Sequence, residues 1–202
     1  MSEMVETSIH RGAEVFLYTG QERSLFPRDM IHVRFDPPAS VTAIPDYAFF
    51  KCPKLEEVEL CEGLQEIEDS AFYDCRALKH FTISSTVKRI DGLVFYRTSL
   101  RSLHLPDGME SIGKEAFSQG KFLHFRIPPL ITTIPKGVFR SCNCMFSLEL
   151  PESIRGIKVN AFAMCHSLRN VGIPPNAGTE ESVFENCADL QQLFGSEAQI
   201  IN

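Results

Sequence analysis

Apolar and polar positions along this chain follow a long period as well as a short one. The long period is carried by phenylalanine: Phe49, Phe72, Phe95, Phe117, Phe139, Phe162 and Phe184 lie 23, 23, 22, 22, 23 and 22 residues apart. A second column runs in step through Cys52, Cys75, Thr98, Gly120, Cys142, Cys165 and Cys187. Two columns holding one period along the chain mark an internal repeat. Aligned on them, one unit reads Leu55, Val58, Leu60, Leu64, Ile67, Ala71, Phe72, and the next places Leu78, Phe81, Ile83, Val87, Ile90, Val94 and Phe95 in the same slots. Further units open at Leu100, Phe122, Met145 and Leu168, an earlier one spans Val33 to Phe49, and one that stops early opens at Leu190 and Leu193. The spacing predicts about seven coils of 22 or 23 residues.

Within each unit the alternation Val58-x-Leu60 predicts a short strand with one buried face. Pro106, Pro128, Pro151 and Pro174 follow this strand and end its pairing, because proline has no N–H to donate. After that turn the apolar residues fall three apart, as in Leu64 and Ile67. The Ala-Phe pair then reads as a short helical turn or a tight bend. One coil alone cannot enclose its own apolar residues. Stacking solves this, since each strand pairs with the next and the apolar columns merge into one core.

The unit C-x-x-L-x-x-V-x-L-P-x-x-L-x-x-I-x-x-x-A-F, carried by residues 33–193, resembles the BspA-type (Treponema-type) leucine-rich repeats. The resemblance implies a repeat solenoid: a right-handed, β-rich coil stack with a parallel sheet on the concave face and short helical turns or bends opposite. It implies a binding or adhesion module without catalytic residues, and members of the family are often surface proteins.

The domain organisation expected from the pattern has three parts. Residues 1–30 form an N-terminal cap segment with a strand near 14–20, residues 31–195 the solenoid, and residues 196–202 a C-terminal tail, with truncation and docking against the core both left open. A formal net charge of −6 argues against general nucleic-acid binding, which needs clustered Lys and Arg. No apolar run approaches the roughly 20 residues of a membrane helix. The acidic start lacks a basic-then-apolar leader. Seven cysteines cannot all pair within one chain, and no Asn-x-Ser/Thr site occurs. Together these predict an intracellular, cytoplasmic protein.

Residues between the buried strand positions face the concave surface. One column is His32, Glu57, His80, Ser102, His124, Ser147 and Asn170; its neighbour is Arg34, Glu59, Thr82, His104, Arg126, Glu149 and Gly172. These columns, Gly172 aside, are the candidate binding residues, and the function they predict is a non-catalytic scaffold that binds a protein partner on the concave sheet. Two alternatives remain. A carbohydrate-binding or adhesive surface protein would need aromatic platforms, which the strand-face columns lack. A histidine-based metal site would need His80, His104 and His124 to converge, and a diagonal step of about 8 Å on one sheet face brings them within range but not onto one point. The cysteine column reads as small, buried side chains rather than a metal or redox ladder, with Cys61 as the expected exposed thiol. The altered sixth unit, Pro174 to Glu181, reads as a decaying terminal repeat. No nucleophile elbow, phosphate loop, HExxH or dinucleotide fingerprint occurs, so no catalytic residue and no cofactor is expected. Nucleic-acid and membrane partners are not expected, and the oligomeric state stays open.

Overall fold

The computed structural model describes residues 7–10, 13–20, 29–36 and 41–190, with side chains from Val15 onward. The expected tail 196–202, Leu193, Pro37 and Pro38, and much of segment 1–30 lie outside the described residues.

The chain is a parallel-sheet solenoid in which seven phenylalanines delimit six turns. On the concave side, β1 (Thr7–His10), β2 (Ala13–Tyr18), β3 (His32–Phe35), β5 (Glu57–Glu59) and β7 (His80–Thr82) form one sheet in that order; β10 (His124–Arg126), β12 (Ser147–Glu149) and β14 (Asn170–Val171) form another. Pairing is parallel throughout except between β1 and β2. Equivalent repeat positions stand opposite each other: Val33, Val58 and Phe81 are in register, as are Phe125, Leu148 and Val171.

The sequence pattern did not announce a second ladder along the isoleucine column. β4 (Ala43–Ile44), β6 (Glu66–Ile67), β8 (Arg89–Ile90) and β9 (Ser111–Ile112) pair side by side, as do β11 (Thr133–Ile134), β13 (Gly156–Ile157) and β15 (Gly178–Thr179). The altered sixth unit therefore stays in register, with Gly178 opposite Gly156.

Opposite the concave face the chain bends rather than coiling into a helix; a helical turn occurs only at 188–190 among the described residues. Each bend places two residues in the left-handed region, one on each side of the phenylalanine: Tyr47 and Lys51 about Phe49, Ser70 and Asp74 about Phe72, Leu93 and Arg97 about Phe95. The pattern repeats at Glu115 and Gln119, Gly137 and Ser141, Asn160 and Met164, and Ser182 and Asn186. All but Gly137 carry a side chain, at a conformation that costs an L-residue roughly 1–2 kcal/mol. The bends stack through a third ladder. Tyr47, Phe49 and Lys51 donate their N–H groups to Asp69, Ala71 and Tyr73, whose successors Ser70, Phe72 and Asp74 donate to Gly92, Val94 and Tyr96.

The core is a column of rings. Phe49 and Phe72 stack at 5.1 Å and 2°, Phe72 and Phe95 at 5.8 Å, Phe95 and Phe117 at 5.8 Å, Phe117 and Phe139 at 5.3 Å, Phe139 and Phe162 at 6.0 Å, and Phe162 and Phe184 at 5.3 Å. At the N-terminal end Tyr18 and Phe35 close on this column, Tyr18 lying 6.1 Å from Phe49. All of these rings are buried.

The two sheets are interrupted at neighbouring coils. In five coils the cysteine slot and the following apolar slot are three positions apart, as from Cys75 to Leu78, but Thr98 and Leu100, and Gly120 and Phe122, are two apart. The shortened approach changes how the next segment enters the concave face. Ser102, Leu103 and His104 lie outside both sheets, between β7 and β10, although Leu103 and Leu105 remain buried. The isoleucine ladder breaks between β9 and β11. The bend ladder continues across the seam, with Phe95 donating to Ala116 and Phe117 to Val138.

Candidate functional site

All thirteen candidate residues are at least partly exposed on the concave strand face. Backbone register ranks His32, Glu57 and His80 in one row and Arg34, Glu59 and Thr82 in the next. Beyond the seam, His124, Ser147 and Asn170 share a row, and Arg126 stands beside Glu149.

The structure brings six of them together. Ser102, His104, His124, Arg126, Ser147 and Glu149 line a groove of about 260 Å³ with Leu103, Leu105 and Phe125 as its buried floor. The groove lies where the concave sheet is interrupted. Its polar wall is partly organised: His124 Nδ1 lies 2.6 Å from Ser147 Oγ, and Arg126 donates to Asp107 at 2.7 Å. The side chains of His104 and Glu149 face the groove without a hydrogen bond or close ion pair among the described residues, Glu149 lying in the field of Arg126 on the adjacent strand. Away from the groove, His32 approaches Glu57 at 3.9 Å.

The three central histidines do not meet. Among the described residues no hydrogen bond or ring contact joins His80, His104 and His124, and no group of three His, Cys, Asp or Glu side chains has metal-holding geometry. His124 instead takes Ser147 on one side and the edge of Phe146 on the other, with ring centroids 6.0 Å apart.

The cysteine column has a structural task. The thiols of Cys75, Cys142, Cys165 and Cys187 each donate to the carbonyl of a phenylalanine in the preceding coil (Phe49, Phe117, Phe139 and Phe162) at 3.0 to 3.2 Å. Burial holds them protonated, pushing Cys165 up to about 12 and Cys187 to about 11, and Cys75 and Cys142 upward as well. At the seam Thr98 turns its hydroxyl onto Phe95 of its own coil instead, at 3.1 Å. The exposed thiol is Cys144 and not Cys61, which is half-buried and packs against the core at the end of a strand.

Sequence reasoning missed the column just before the strands. It reads Ile31, Glu56, Lys79, Arg101, Leu123, Phe146, Arg169. Leu123 and Phe146 are 43% and 40% exposed, so this column puts two apolar side chains into solvent at the groove's edge. The signal was an apolar pair at a slot otherwise filled mainly by charged residues.

The comparisons agree with this architecture. A search of curated proteins found no match. Among solved structures, a leucine-rich repeat protein from Bacteroides ovatus is 30% identical with a TM-score of 0.71, covering 74% of this chain and 40% of its own. The T. pallidum leucine-rich repeat protein is 21% identical with a TM-score of 0.78, covering 96% of this chain and 91% of its own. The pneumococcal vaccine antigen PcpA shares the fold at 22% identity and a TM-score of 0.50, over 79% of this chain and 38% of its own. The chain thus spans less than half the length of the first and third of these. No helix among the described residues is long and apolar enough to cross a membrane. The model of the BspA type leucine rich repeat region matches residues 26–145 and 132–201 in six copies. Proteins of this fold are typically non-catalytic scaffolds, and the repeat points to a protein-interaction or surface-binding role. By repeat, register and ring column alike, the chain belongs to the BspA-type leucine-rich repeat family.

Proposed function

We propose that this chain is a non-catalytic interaction module that receives a protein segment in the groove at the interrupted concave sheet. The observation that carries this reading is the lining: an apolar floor of Leu103, Leu105 and Phe125 beneath a rim that includes His104 and Glu149, whose side chains make no hydrogen bond among the described residues. Apolar burial supplies attraction, and a few placed polar groups supply register and choice of partner. A shallow, open groove of this kind suits a polypeptide better than a reaction that needs exclusion of water. Cys75, Cys142, Cys165 and Cys187 are buried thiols that donate to backbone carbonyls, which supports a reducing, intracellular setting.

The test is affinity capture from the native cell with the intact chain and three charge reversals. Arg126→Glu and Glu149→Lys, in the groove, are expected to lose the captured partner; Glu59→Arg, on β5, reports whether the contact extends beyond the seam. Thermal stability should stay within about 0.5 kcal/mol of the parent for all three, since the sites are on the surface. A capture profile unchanged by Arg126→Glu and Glu149→Lys removes the groove from consideration.

A further inference from the structure

We propose that the strip Arg101–Leu123–Phe146–Arg169 at the edge of the groove seats an extended peptide carrying an apolar residue between two carboxylates. The four residues occupy one repeat slot in successive coils and are linked directly through the backbone. Leu123 donates to the carbonyl of Arg101 at 3.1 Å, Phe146 to that of Leu123 at 2.8 Å, and Arg169 to that of Phe146 at 3.0 Å.

Three features define the occupant. First, the centre of the strip is apolar and wet, since Leu123 and Phe146 expose 43% and 40% of their surface. Second, the Phe146 ring is held in place: the Arg169 guanidinium lies 5.7 Å over it and the His124 ring meets it at 6.0 Å. A ring fixed before binding loses little freedom on contact. Third, the apolar pair is bracketed by cations. Arg101 has no ion-pair partner among the described residues, whereas the same slot two coils and one coil earlier is self-neutralised, Glu56 pairing with Lys79 at 3.3 Å. Arg169 pairs with Asp189 at 2.9 Å and sits half in solvent.

The spacing sets the motif. Coils repeat about every 4.8 Å, so three steps from Arg101 to Arg169 span about 14 Å. An extended peptide covers this in about four residues at roughly 3.3 Å each. The matching motif is acid-x-apolar-x-acid, running along the solenoid axis across the strands. This inference rests on the protein-binding reading but names a different set of residues from the groove wall.

The test uses fluorescence anisotropy with the intact chain and three labelled peptides: Glu-Thr-Leu-Thr-Glu in a glycine-serine frame, the same with both Glu replaced by Gln, and the same with Leu replaced by Ser. The acidic apolar peptide is expected to bind at least tenfold tighter than either control. Arg101→Glu and Phe146→Ser should each weaken it by at least tenfold, and Arg140→Glu, an exposed reversal elsewhere on the coil, should leave it unchanged. Equal binding of the neutral peptide, no saturable binding of the acidic one, or binding indifferent to both strip variants would overturn the proposal. The groove reading fails separately, because it is decided by cellular capture with Arg126→Glu and Glu149→Lys.

Discussion

Phe122 fills the space that a side chain at Gly120 would need. A β-carbon built on Gly120 would lie 2.7 Å from Cδ2 of the Phe122 ring and closer still to Cε2. Five other coils put a cysteine and a smaller leucine or methionine in these two slots, as in Cys75 and Leu78 or Cys142 and Met145. At the seam the bulk has moved from one slot to the other. Gly120→Ala should therefore overpack the core and cost about 1–3 kcal/mol. Phe122→Leu should cost about 1 kcal/mol or more through the space it leaves. The double variant should lose less than the sum by about 1 kcal/mol, the signature of neighbours sharing one volume. Urea unfolding of the four proteins measures this; strict additivity would mean that the two slots are independent.

Phe117→Ala, at the centre of the ring column, should cost about 3–5 kcal/mol. Phe117 is fully buried and stacks on Phe95 and Phe139 while meeting Phe122 edge-on at 5.8 Å. Lys114→Ala, three residues earlier and exposed, should change stability by about 0.5 kcal/mol at most. Equal losses in chemical denaturation would contradict the column.

The buried thiols make the fold sensitive to alkali. An unfolded cysteine ionises near pH 9, whereas Cys165 and Cys187 in the fold are held up to about 12 and about 11 by burial. A raised folded value means that the stabilisation is complete below pH 9 and is lost as pH climbs toward the folded values. Each such thiol should remove up to about 1.4 kcal/mol per pH unit in that window. Melting temperatures in reductant should fall between pH 9 and 11, and more gently for Cys165→Ala. Parallel slopes for parent and variant would place the alkaline sensitivity elsewhere.

The left-handed bends allow a prediction about substitution by glycine. Lys51 has φ 55° and an exposed side chain. Lys51→Gly should be neutral or stabilising by up to about 1 kcal/mol, because glycine enters this region freely. Lys51→Val should destabilise by about 1–2 kcal/mol, as a β-branched side chain tolerates it least. A thermal melt in which valine is as stable as glycine would show that the bend does not hold this conformation in solution.

The ring column, the strand rows and the parallel stacking were legible in the sequence because burial selects residue type strongly, and a fixed period exposes that selection in every coil. Val58, Phe81 and Leu148 carry their orientation in the alternation alone. The bends were not legible: Tyr47, Leu93 and Met164 are not residues that announce a left-handed backbone, and only Gly137, Asp74, Asn160 and Asn186 follow the usual preference. Their conformation is imposed by the ladder between coils, which no single unit displays. The groove was half legible. Its polar wall follows from strand alternation, but its location depends on two one-residue deletions, before Leu100 and before Phe122. The Leu123 and Phe146 strip lay in a slot that the two strand-face columns pass over, and its mark shows only when Leu123 and Phe146 are set against the charged residues of the same slot in other coils.

The bend ladder gives the stack an electrical sense. In the peptide units 69–70, 71–72 and 73–74, each carbonyl points back to the coil before and each N–H forward to the coil after, and the same orientation recurs down the solenoid. Such dipoles add rather than cancel. Each described coil thus offers its donors to one neighbour and its acceptors to the other, so the ladder can be continued only head to tail, coil upon coil.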